Sequence, residues 1–75
     1  MAIVTKLQRK TLTHYSRHKQ TDCTYSIVSD EQWGQMLQID TYGSKSRKIQ
    51  GKESQTIRFS PEAIKQLRKI LSEEL

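Results

Sequence analysis

The residues best equipped for chemistry are few. His14 and His18 stand four apart, with Cys23 following. On a helix the two imidazoles would share a face, and the trio resembles a fragment of a zinc site. A structural zinc takes four protein ligands and a catalytic zinc three plus water. Three candidates with this spacing complete neither, and the plainer reading is two surface histidines in a basic segment. Cys23 beside His18 would also suit a nucleophile pair. A chain this short supplies no evident pocket, orienting acid and oxyanion hole together. Gly43 and Gly51 bracket a basic stretch, yet neither phosphate-binding glycine motif, G-x-x-x-x-G-K-[ST] or G-x-G-x-x-G, occurs. We therefore expect no catalytic residue, metal, cofactor or small-molecule substrate: the chain reads as a non-enzyme.

A different chemistry is suggested by Tyr42-Gly-Ser-Lys-Ser-Arg-Lys-Ile-Gln-Gly-Lys52. Lys45, Arg47, Lys48 and Lys52 are interleaved with Ser and Gly, which offer hydroxyls and unhindered amides to phosphates. Tyr42 at the base of the loop gives a plane on which an unstacked base could lie. With Arg58 on the following segment, these six residues are the candidate nucleic-acid contacts. Tyr25 and Trp33 read instead as partly buried core.

The elements that would hold this loop follow from periodicity. Ser60 before Pro61 pairs an N-cap with a proline in the first helical turn, and Glu62 complements the helix dipole. Ala63, Ile64, Leu67, Ile70 and Leu71 recur at helical spacing, so a helix is expected over 61–73, about 20 Å long. Residues 54–59 and 36–42 alternate as strands, 24–29 reads as a third joined through Asp30–Gly34, and 2–7 suits a fourth. The expected fold is α+β: three or four antiparallel strands followed by one C-terminal amphipathic helix. Leu37, Ile39, Ile57 and Phe59 are expected to meet the helix, leaving Gln38, Asp40, Tyr42, Thr56 and Arg58 on an exposed polar face.

Seventy-five residues allow one domain, 1–75, with 1–22 a basic strand or arm and 24–75 the sheet and helix. Such a chain buries only about 60% of its unfolded surface, and the single Cys forms no internal disulfide. One helix on one sheet is a thin core. Homodimerisation, helix to helix or sheet to sheet, is therefore expected. The apolar helix positions 63, 64, 67, 70, 71 and 75 make a stripe wider than one small sheet needs, with Ile64, Leu67, Ile70 and Leu71 as the candidate interface. The net charge of +5 is blocked: five bases and no acid in 1–21, four acids and no base in 22–42, then +4 over 43–58. Basic blocks split by an acidic one describe a polarised surface able to attract phosphates. No apolar run has the length to span a bilayer and no secretory h-region appears, so a cytoplasmic protein without membrane contact is expected.

Tyr25-Ser-Ile-Val, Leu37-Gln-Ile-Asp-Thr-Tyr42, Gly51-Lys52 and Thr56-Ile-Arg-Phe-Ser-Pro-Glu62 with its helix resemble, over about residues 24–73, the positive cofactor four family of single-stranded-DNA-binding transcription cofactors. Leu-Gln-Ile-Asp-Thr-Tyr-Gly-Ser also looks like a stretch of small bacterial proteins. The resemblance implies a four-stranded antiparallel sheet with a C-terminal helix, dimerisation through the helices, and single strands bound across the open sheet. Segment 6–19 has no place in it, and Asp40 sets a negative charge on the implied face. Two functions thus compete: a dimeric module for single-stranded DNA or RNA with an accessory role in transcription or replication, and a small protein–protein interaction subunit. A ribbon-helix-helix repressor would need a second helix after the first.

Overall fold

The computed structural model describes residues 2–18, 20–42 and 55–75. Four strands and one helix succeed one another: β1 (Ala2–Val4), β2 (Cys23–Asp30), β3 (Gly34–Thr41), β4 (Gln55–Phe59) and α1 (Pro61–Glu73). They form one sheet in the order β1-β4-β3-β2 with the helix on one side. β2–β3 and β3–β4 are antiparallel, but β1 runs parallel to β4, so the sheet is mixed rather than wholly antiparallel. The reason is covalent. β1 and β2 occupy opposite edges, and the long segment between them lets β1 enter in either direction.

The hairpin and the helix start are specified locally. Asp30 Oδ1 accepts from the backbone N–H groups of Gln32 (2.7 Å) and Trp33 (3.1 Å), bending the chain back. Gly34 then takes φ +84°, a region that a side chain would strain, and closes a three-residue loop. At the helix, Ser60 Oγ accepts from Ala63 N–H at 3.2 Å. Ser60's own N–H donates to the Val4 carbonyl at 2.9 Å, tying the helix start to β1. The helix bounds match those read from the sequence.

The helix lies on the face opposite to the one expected. Met36 and Ala63 are the fully buried apolar side chains among the described residues. By strand alternation Met36 shares its face with Gln38 and Asp40, not with Leu37 and Ile39. The cause is the one-residue link. Ser60 is extended, with ψ 165°, so its side chain falls on the same side as Arg58 and Thr56. A hydroxyl that caps Ala63 draws the helix onto that side. Ala63, with no bulk beyond Cβ, and the unbranched, adaptable Met36 are both fully buried where α1 lies on β3.

Candidate binding surfaces

Three features stand out: a polar network, an arm and an open face. In the network, Thr56 Oγ1 donates to Asp40 Oδ1 at 2.6 Å. The Gln38 amide donates to both Asp40 carboxylate oxygens, at 3.2 and 3.0 Å. Gln38 Oε1 in turn accepts from Arg58 Nε at 2.7 Å. The register makes this possible, because Gln38 faces Arg58 and Asp40 faces Thr56 across β3 and β4. Asp40 is 4% exposed. The Thr56 hydroxyl, then the Gln38 amide, and lastly the Arg58 charge hold its carboxyl below the usual range against the opposing effect of burial. Beside the network, the Tyr42 hydroxyl and Thr24 Oγ1 share a hydrogen bond of 2.7 Å.

These contacts fall on the face that was expected to be exposed. The polar face is not open: Asp40 is buried, and Gln38, Tyr42, Thr56 and Arg58 are half-buried. Tyr42 and Arg58 belong to the internal hydrogen bonding of the sheet. Lys45, Arg47, Lys48 and Lys52 lie outside the described residues. Of the expected dimer residues, Ile64, Leu67 and Ile70 are half-buried within the protomer, whereas Leu71 is 52% exposed.

The arm is residues 5–22, which cross from the β1 edge of the sheet to the β2 edge without regular structure among the described residues. It runs beside α1. The Leu7 N–H donates to Gln66 Oε1 at 2.7 Å, and Arg9 pairs with Glu74 at 2.8 Å. Beyond these anchors the described arm residues are exposed, with Tyr15 84% accessible. Lys6, Lys10 and Arg17 project from it, and no acid precedes Asp22. His14 and His18 sit here on non-helical backbone, so four-residue spacing confers no common face on them. Among the described residues no group of three or more His, Cys, Asp or Glu is gathered as a metal site.

The third feature was missed. With the helix on the Met36 side, the opposite face carries Tyr25, Ile27, Leu37, Ile39, Ile57 and Phe59, brought level by the strand register. Tyr25 is 75% exposed, Ile27 62%, and Ile57 is also exposed, so Tyr25 is not the core residue expected. Every described strand residue on this face is uncharged. The parity of Ser60 was the signal that would have found it.

Comparison with protein-family models, with curated proteins and with solved structures finds no match to this chain. No helix of the described residues is long and apolar enough to cross a membrane.

Proposed function

We propose that this chain is a non-enzymatic module that binds single-stranded nucleic acid, with its phosphate contacts made by the basic arm and by Lys45, Arg47, Lys48 and Lys52. The observation that carries this reading is the arm. Long connections without secondary structure are uncommon in compact domains and are frequently functional. This one presents Lys6, Lys10 and Arg17 in the open, with an exposed tyrosine among them and no acid within residues 1–21. Cations spaced along extended backbone can follow a phosphate chain, and Tyr15 offers a stacking surface. The resemblance to the positive cofactor four family points to the same ligand class, with the contacts moved here from the polar sheet face to the basic segments.

The test is binding of the full chain to single-stranded DNA, duplex DNA and single-stranded RNA oligomers at about 50 and 200 mM salt. Single strands should bind most tightly, with affinity falling steeply as salt rises, because each neutralised phosphate releases counterions. Equal, salt-insensitive or absent binding to all three would refute the proposal.

A protein-interaction subunit is the second reading. The uncharged open face of the sheet favours it, since a surface without cations offers nothing to phosphates.

A further inference from the structure

The open face must be accounted for in water. Isolated apolar side chains on a surface are ordinary, but a contiguous patch of several hundred Å² marks an association site. Here strand spacing and rise over the strand residues give the face roughly 400 Å² per chain. From the uncharged character, the area and the thinness of the core, we infer that this face is the seam of a homodimer, in which two copies pack sheet against sheet.

Charge argues for a second copy as the occupant. The chain carries +5 overall, so most ways of bringing two copies together oppose like charges. The Tyr25–Ile27–Ile57 face is an exception. A two-fold axis there brings uncharged residues against their own kind, while α1 with its lysines and the arm around Leu7 and Arg9, which is anchored to α1, remain on the outer side. A basic ligand site would need acids on the face, and an acidic partner would need bases; the described residues there provide neither.

Area agrees. Two such faces bury about 800 Å² together, the size of a weak and transient contact, which fits a reversible dimer. Packed sheets lie about 10 Å apart, with strands offset by about 30°. Leu37, Ile39 and Phe59, half-buried in one chain, would then lie within a two-sheet core. The helix is the weaker seam, because Ile64, Leu67 and Ile70 already face their own sheet and leave Leu71 as the main protruding side chain.

The experiment is sedimentation equilibrium of the full chain without nucleic acid, from about 5 to 500 µM, on the parent, Ile27→Glu and Leu71→Glu. The parent should dimerise within this range. Ile27→Glu, which places a carboxylate in the seam, should weaken dimerisation by about a hundredfold or more, and Leu71→Glu should leave it unchanged. Because Ile27→Glu can also perturb folding, isotope-filtered NMR on a mixture of labelled and unlabelled parent reads the seam directly. Intermolecular contacts from the methyls of Ile27, Ile39 and Ile57 are expected. A folded parent that stays monomeric at 500 µM overturns the inference. So do intermolecular contacts from the Ile64 and Leu71 methyls instead, or a dimer lost in Leu71→Glu and retained in Ile27→Glu. Since nucleic acid is absent, failure here leaves the arm's proposed role standing, and failure to bind oligomers leaves the seam standing.

Discussion

Asp40 is a carboxylate held inside a sheet by neutral donors. Its acidity is raised by hydrogen bonds from Thr56 and Gln38, so its charged form is favoured by folding. The linkage has a definite sign. A group with a depressed native pKa contributes stability that is fully present above its unfolded value, near 4, and is lost as pH falls through the native one. Thermal stability should therefore decline as the pH is lowered below about 4, and Asp40→Asn should flatten that decline while lowering Tm at neutral pH. A melting series from pH 7 to pH 2 on parent and variant checks this; parallel curves would show that Asp40 contributes nothing. Ser60 is a second residue with two duties. Its hydroxyl caps α1 while its amide anchors β1. Ser60→Ala removes only the first and should cost about 1 kcal/mol in urea unfolding.

At the scale of elements, α1 lies on β3, and Met36 and Ala63 are their fully buried side chains among the described residues. Met36→Ala should cost about 2–5 kcal/mol, most of the stability of a chain this small, and urea denaturation would measure it. The arm makes the opposite prediction. Replacing Lys6, Lys10 and Arg17 together by Ala should leave the melting temperature nearly unchanged, since these side chains project into solvent. It should also reduce the salt slope of single-strand binding by about two units, at roughly 0.7 per phosphate contact. Titrations of parent and triple variant across salt provide the comparison; an unchanged slope would remove the arm from the site. These two elements differ in how openly the sequence declared them. The helix was legible to the residue because Ser60, Pro61 and Glu62 mark its start and the apolar period marks its extent. β2, β3 and β4 were legible from alternation. Alternation fixes which residues share a face, but not which face is covered. Leu37, Ile39, Ile57 and Phe59 were the more apolar set, yet apolarity lost to the geometry of a single connecting residue. β1 was legible in place, since 2–7 suited a fourth strand, but not in length or direction: three residues are too few to show a period, and its parallel partner β4 lies more than fifty positions away.

At the scale of the molecule, described residues 2–18, 20–42 and 55–75 lay one helix on a four-stranded sheet and leave its far side bare. A homodimer closing that side would couple stability to concentration, because anything that binds the native state alone raises its melting point. Tm should therefore climb as the protein is concentrated from about 5 to 500 µM, and a differential scanning calorimetry series would show it; a constant Tm would not be that of a dimer. The Phe59-Ser60-Pro61 junction has a consequence of its own. Side chains change sides at each step along an extended strand, so the number of residues before the cap acts as a parity bit for the whole architecture. Inserting one residue between Phe59 and Ser60 would move the capping hydroxyl to the other side of the sheet. The helix would then be recruited over Ile57 and Phe59, and the Asp40 network would be turned out to water. A lengthened link of this kind would interchange the inside and the outside of the protein without altering any strand.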